Sequence, residues 1–163
     1  MSGLPRWVLG ARPRRTAGRA AVLVLASLVL FGYVLLPVRG VGVSMQPTIA
    51  PGEFLLVSTL TYRWRAPRAG DIVAVRLAGR SVVYVKRLVA LPGQTVAFDE
   101  GRLVVDGRPQ AEPYVVERAP WRMAAARLGP DQYFVVGDNR GMPRAQHDMG
   151  VVDRARLVGT VVF

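Results

Sequence analysis

The sequence predicts a mainly β protein in which one N-terminal transmembrane helix precedes an antiparallel β-rich domain. Three observations carry this. Residues 20–38 run without a charge. The chain beyond them is cut by Gly- and Pro-containing turns into short runs of β-branched and aromatic residues. No helical pattern of roughly 10 to 15 residues separates those runs, which argues for antiparallel sheets or a barrel over an α/β fold.

The chain has 163 residues, 22 Lys+Arg against 11 Asp+Glu, and a net charge of +11. That length fits one domain plus an appendage. Arg6, Arg12, Arg14, Arg15 and Arg19 stand in the first 19 residues with no acid among them. The run AAVLVLASLVLFGYVLLPV from Ala20 to Val38 follows, 19 residues that as a helix span about 28 Å, close to one hydrocarbon core. Arginines on its N-terminal side place residues 1–19 in the cytoplasm and residues 39–163 across the plasma membrane, with Arg39 outvoted. A cleaved signal peptide is the competing reading. The apolar run is longer than such peptides carry, and Pro37-Val38-Arg39-Gly40-Val41 offers no A-x-A site, so an uncleaved anchor in a lipid bilayer is expected.

Beyond the anchor, strands are expected at Phe54–Val57, Asp71–Val75, Ser81–Val85, Gln94–Phe98, Arg102–Val105, Gln132–Val136 and Leu157–Val162. Asp106-Gly107 marks the tip of a hairpin. Residues 117–128 read as a loop or short helix, and Tyr84 and Trp64 as packing residues.

Composition narrows the chemistry. With no Cys and a single His, disulfides, thiol nucleophiles, iron–sulfur clusters and Cys- or multi-His-type zinc sites are excluded. No metal or cofactor is implied. Residues 20–163 carry 16 Arg and one Lys against 11 acids, a net of +6 spread along the chain. Neither an aromatic-basic signature nor a helix-turn-helix pattern accompanies that charge, so no nucleic-acid partner is expected.

Of the 22 basic residues 21 are Arg, and the one Lys is Lys86, in the apolar stretch Val83-Tyr84-Val85-Lys86-Arg87-Leu88-Val89. Arginine keeps its proton in a protein, whereas a buried lysine can lose it and act as a base. Ser44 lies in the glycine-rich stretch Gly40-Val41-Gly42-Val43-Ser44-Met45-Gln46-Pro47-Thr48. A serine nucleophile needs a base, and the candidates are Lys86 and His147, so both a Ser–Lys dyad and a Ser–His–acid triad with Asp148 or Asp138 are open.

Four segments then occur in order. Ser44-Met45-Gln46-Pro47-Thr48 resembles the S-M-x-P-T box of type I signal peptidases, and Arg68-Ala69-Gly70-Asp71-Ile72-Val73 is similar to their G-D-I-V box. Lys86-Arg87-Leu88-Val89-Ala90-Leu91-Pro92-Gly93-Gln94 resembles the box holding the catalytic lysine, and Gly137-Asp138-Asn139-Arg140 the G-D-N-R box. The resemblance covers about residues 20–163. It implies a single-anchor serine endopeptidase with a largely β fold that removes signal peptides from exported preproteins after small residues at −1 and −3. By the same resemblance Ser44 is the nucleophile and Lys86 the general base. The Ser44 N–H is an oxyanion donor, Gly42 and Met45 belong to the oxyanion and substrate pocket, and Asp138, Asn139 and Arg87 support the site. Met45 reads equally as pocket or core, and Asp138 and Asn139 as holding a turn by side-chain-to-backbone hydrogen bonds. A monomer is expected.

Two departures stand out. Gly42 occupies a position where the family often has a Ser or Thr that helps bind the oxyanion. After G-D-N-R, Pro143 replaces a serine that usually bonds the lysine, Ala145 an aspartate and His147 an arginine, with Asp148 shifted as partial compensation. His147 reads as a surface or ion-paired loop residue. The altered segment keeps open a catalytically weak or inactive homologue that binds exported peptides, or a protease dedicated to one substrate.

Overall fold

The computed structural model describes residues 13–76, 83–147 and 149–162. Arg6, Arg12, the strand start expected at Ser81-Val82, and Asp148 lie outside the described residues.

Helix α1 (Pro13–Val29) continues through one π-helical turn, Leu30–Val34, and the apolar stretch Arg14–Val34 is long enough to cross a membrane. The helix therefore ends before residue 38. Leu35–Arg39 form strand β1 instead, antiparallel to β2 (Phe54–Ser58). Pro37 supplies the reason: it has no N–H to donate and its ring would clash inside a helix, whereas it is tolerated on the edge strand of a sheet, and β1 is such an edge.

A one-turn helix α2 (Thr61–Trp64) follows β2, and Trp64 is 85% exposed, so it is not the packing residue expected. Strands β3 (Ile72–Arg76), β4 (Val83–Ala90), β5 (Thr95–Asp99), β6 (Arg102–Val105) and β7 (Arg108–Pro109) come next. Asp106 and Gly107 both take positive φ, 51° and 74°, between β6 and β7, as a two-residue type I′ hairpin requires. The remaining strands are β8 (Met123–Arg127), β9 (Gln132–Val136), β10 (Gly150–Asp153) and β11 (Leu157–Val162).

Seven strands make one antiparallel sheet in the order β1-β2-β11-β3-β4-β9-β10, and four make a second, β7-β6-β5-β8. The fold is mainly β and antiparallel. Segment 117–128 is not a helix: Met123-Ala124-Ala125-Ala126-Arg127 pairs with β5. Its helix-favouring alanines are overridden by the edge that β5 presents, since propensity is a weak prior beside pairing and burial.

Burial follows the strand alternation. Val96, Phe98, Leu103 and Val105 of the small sheet pack on Val89, Ala90, Phe134 and Val136 of the large one, with Trp121 closing the layer. A second cluster joins Leu55, Val57, Ile72 and Ala74 to Met45 and Ile49. It seats the stretch after Ser44 directly on the large sheet.

The start of β3 is fixed by Asp71, whose carboxylate accepts from Arg65 Nη1 and Nη2 at 2.7 and 2.8 Å, from the Arg68 N–H at 3.0 Å and from the Tyr62 hydroxyl at 3.2 Å. Burial alone would raise the Asp71 pKa, but the donors outweigh it and hold the carboxyl below its ordinary value. A group depressed in the folded state contributes stability above its unfolded pKa, about 4, and loses it as pH falls through the lower folded value. The urea midpoint of the chain in detergent is therefore expected to decline through this group as pH falls below about 4. Asp71→Asn flattens that part of the profile, and an unchanged profile would refute the assignment.

Candidate active site

Ser44 sits in a turn closed by the Gln46 N–H to the Val43 carbonyl at 3.1 Å and by the Ile49 N–H to the Met45 carbonyl at 3.0 Å. Gly42, two residues earlier, has φ +96°, a backbone state that a side-chain-bearing residue adopts only with strain. The bend that turns Ser44 into the domain thus accounts for glycine at that position. Met45 does two jobs: it is 5% exposed within the core cluster and it also lines the floor of the cleft described below.

Lys86 reaches Ser44 from β4. The strand pairs with β3, placing Lys86 opposite Val73, and the side chain is 3% exposed. Its Nζ lies 2.7 Å from Ser44 Oγ. The structure thus brings the two residues into hydrogen-bond contact across 42 positions of sequence.

Four further residues tie the Ser44 turn to β4. Arg87, next after Lys86, donates from Nε and Nη2 to Asp138 at 2.9 and 2.7 Å. Thr48, four residues after Ser44, donates to the same carboxylate at 2.5 Å. Asn139 donates from its backbone to the Ser44 carbonyl at 3.0 Å and from Nδ2 to the Val43 carbonyl at 3.1 Å. Asn139 therefore makes the side-chain-to-backbone contact expected of it. Asp138 differs: its carboxylate bonds side chains, forming a buried ion pair. Burial works against the Arg87 charge, but Asp138 outweighs it and holds the guanidinium pKa above its ordinary value.

Sequence reading missed Thr48 as a partner and missed a deeper layer altogether. Arg140, fully buried, donates to the Gly137 carbonyl at 2.8 Å and to Glu112 at 2.5 Å. Glu112 accepts the Tyr114 hydroxyl at 3.2 Å, and the Arg87 guanidinium stacks 3.9 Å above the Tyr114 ring. Thr48 lies inside a segment already singled out and could have been weighed. Glu112 carries no local signal, because its partner stands 28 residues away.

His147 is 6% exposed, so it is buried and not a surface residue. Its ring meets Trp121 edge-on at 4.9 Å and packs against Gly137. A β-carbon on Gly137 would overlap both that ring and the Ser44 carbonyl oxygen, so the chain needs glycine here for close approach.

A cleft of about 660 Å³ opens beside Ser44 and Lys86. Leu36, Pro37 and Val38 of β1 form one wall, and Val83, Tyr84 and Val85 of β4 another, with Gly42, Ser44, Met45 and Lys86 at the floor. Tyr84 is half-buried and lines this cleft, so it does more than pack. Among the described residues no group of three or more His, Asp or Glu side chains is placed to hold a metal ion.

The family described as "Signal peptidase, peptidase S26" matches residues 14–163. A probable signal peptidase I-1 from Synechocystis is 34% identical over 149 residues, covering 86% of this chain and 76% of the relative. The signal peptidase I of Bacillus licheniformis is 34% identical over 154 residues, covering 87% and 82%. Signal peptidase I T of Bacillus subtilis is 33% identical over 162 residues, covering 90% and 82%. The solved structure of a signal peptidase I from Enterococcus faecalis aligns at 25% identity and a TM-score of 0.47 over 60% of this chain and 98% of that one.

The Asp138 carboxylate serves Arg87 and Thr48 in a buried setting, so removing its charge strands a buried guanidinium. Asp138→Asn is expected to cost about 3 kcal/mol of stability. Thr48→Val, which removes one hydrogen bond, costs about 1 kcal/mol. Denaturant titration of the detergent-solubilised chain reads both, and equal small losses would show that the ion pair contributes little.

Proposed function

The chain belongs to the signal peptidase family, and on that premise we propose that it is a membrane-anchored serine endopeptidase in which Ser44 and Lys86 form the catalytic dyad. The single observation that carries the reading is the 2.7 Å contact between Lys86 Nζ and Ser44 Oγ. A general base has to lie within hydrogen-bond reach of the proton it removes.

The proposed reaction runs in two halves. Lys86, as the neutral amine, takes the Ser44 proton while Oγ attacks the carbonyl carbon of the scissile peptide. The tetrahedral intermediate collapses when Lys86 returns that proton to the departing amine, leaving an ester between Ser44 and the signal peptide. A water, deprotonated by Lys86, then hydrolyses the ester and frees Ser44. The Ser44 N–H has no acceptor among the described residues, which suits it to bind the oxyanion. Gly42 supplies no hydroxyl to assist. Asp138, Asn139 and Arg87 hold the geometry without touching the reacting atoms.

The substrates on this reading are exported preproteins, bound extended along β1 and β4 with small residues at −1 and −3 directed into the apolar cleft. The apolar helix anchors the chain as a monomer in the plasma membrane, with its arginine-rich N-terminus cytoplasmic and the β domain outside. Ten residues separate Val34 from Ser44, at most about 35 Å of extended chain, which keeps the nucleophile near the bilayer.

The alteration at Pro143–His147 motivates the contrary reading, an inactive peptide-binding homologue. Against it, Lys86 and Ser44 retain contact beside an open cleft.

Cleavage of a preprotein with an A-x-A site, in detergent–lipid micelles, tests the proposal. Ser44→Ala and Lys86→Arg are expected to lower kcat/KM by at least about a thousandfold, while His147→Ala stays within about tenfold of wild type. Loss of activity in a folded His147→Ala variant would move the base assignment to His147. No cleavage by wild type would favour the peptide-binding homologue.

A further inference from the structure

A second cleft, of about 280 Å³, lies on the other side of the nucleophile turn. It is lined by Gln46, Pro47, Val116, Glu117, Asp138 and Asn139, and shares no residue with the cleft that holds Ser44 and Lys86. Ser44, Met45 and Ile49 line the first cleft together with residues before them, and Gln46 and Pro47 of the same turn line the second. The second cleft thus adjoins the first across the Ser44 turn, within reach of a chain extended past Ser44.

Beside the Gln46 carboxamide, the second cleft presents two acceptor side chains. Asn139 spends its Nδ2 on the Val43 carbonyl, which leaves Oδ1 as an acceptor. Glu117 is exposed and makes no hydrogen bond or ion pair to another described residue. A β-carbon at Gly141 would lie 3.1 Å from Glu117 Oε2 and 3.6 Å from Asn139 Oδ1, so the two oxygens occupy one patch of wall. Asp138, in the floor, is already neutralised by Arg87. The acyl-side cleft has the opposite character: Arg39 and Arg76 line it, and no carboxylate does.

We propose that the cleft at Glu117 and Asn139 is a leaving-side subsite for the first residues of the mature protein, selecting a cationic side chain there. Two acceptor oxygens, one of them charged, suit an ammonium or guanidinium donor, and Val116, 74% exposed, offers an apolar surface to its stem. Positive charge on the leaving side and none on the acyl side then matches the field across the scissile bond. This inference rests on the peptidase reading above.

The test uses the full chain in micelles and three preproteins with the same A-x-A acyl side, carrying Lys, Gln or Glu in the first two positions after the cut. Wild type is expected to give the Lys substrate a kcat/KM about fivefold above the Glu substrate at low salt, the gap narrowing as salt rises. Glu117→Gln brings that ratio below about twofold, and Glu117→Lys inverts it. Rates normalised to the Gln substrate separate this selectivity from any general loss of activity. A ratio that Glu117→Gln and Glu117→Lys both leave unchanged overturns the subsite while the peptidase reading stands. Failure of wild type to cut the Gln substrate overturns the peptidase reading, and the subsite with it.

Discussion

One buried carboxylate holds the two halves of the site together. Asp138 is 1% exposed and binds Arg87 and Thr48 at once. Arg87 is covalently next to Lys86, and Thr48 lies in the turn that carries Ser44. A loosened dyad would require both to move relative to that carboxylate. On the proposed mechanism, fixing Ser44 and Lys86 within fractions of an ångström is worth many-fold in rate, because misplacement by about 1 Å can cost a hundredfold. The choice of arginine at position 87 follows from geometry: only a planar guanidinium can bind both carboxylate oxygens and stack on Tyr114 at the same time.

A buried ion pair is not cheap, and its surroundings explain how this one is tolerated. Desolvating two charges costs more than their attraction returns unless the remaining hydrogen-bonding capacity is also met. Thr48 and the Gly70 carbonyl, which accepts from Arg87 Nη1 at 2.9 Å, meet it, and a layer of Tyr114, Glu112 and Arg140 backs the guanidinium. Arg140 anchors the Gly137 carbonyl and Glu112, Glu112 takes the Tyr114 hydroxyl, and Tyr114 covers Arg87. Arg140 also lies over the rings of Phe98 and Trp121, at 5.2 and 5.8 Å. Those rings belong to the core between the two sheets. The small sheet is thereby coupled to the site through packing, although none of its strands lines the acyl-side cleft.

Local pattern revealed what local forces decide. Strands β2, β5 and β6 were legible because each buries one face, and β3, β9 and β11 because they are short β-branched and aromatic runs buried on both faces. The Asp106-Gly107 hairpin was legible because only such a pair accepts two positive φ values. Ser44 and Lys86 stood out through motif and through the singularity of the lysine. What the sequence hid is what distant pairing decides. Met123–Arg127 carries helix-favouring alanines and becomes a strand because β5 offers an edge. Leu35–Val38 extends an apolar run and leaves the helix because β2 pairs with it and Pro37 forbids continuation. His147, polar and in a loop, is buried because Gly137 leaves room for its ring. Glu112 could not be assigned a partner at all, since nothing near it in sequence announces Arg140.

The strand that the sequence concealed is also the one that links anchoring to recognition. β1 begins one residue after the helix ends and has no loop before it. Its residues Leu36, Pro37 and Val38 are at once the first paired residues of the domain and a wall of the cleft beside Ser44. A flexible tether would let the cleft sample many heights and tilts above a bilayer. Here the wall itself is continuous with the apolar helix, and pairing of Leu35–Arg39 with Phe54–Ser58 locks its direction. On the proposed topology, the position of the cleft relative to the membrane is therefore set by backbone hydrogen bonds. The edge position that lets Pro37 terminate the helix also leaves one side of β1 unpaired, so helix termination, the wall of the cleft and, on the proposed reading, anchoring and substrate pairing all depend on the same five residues.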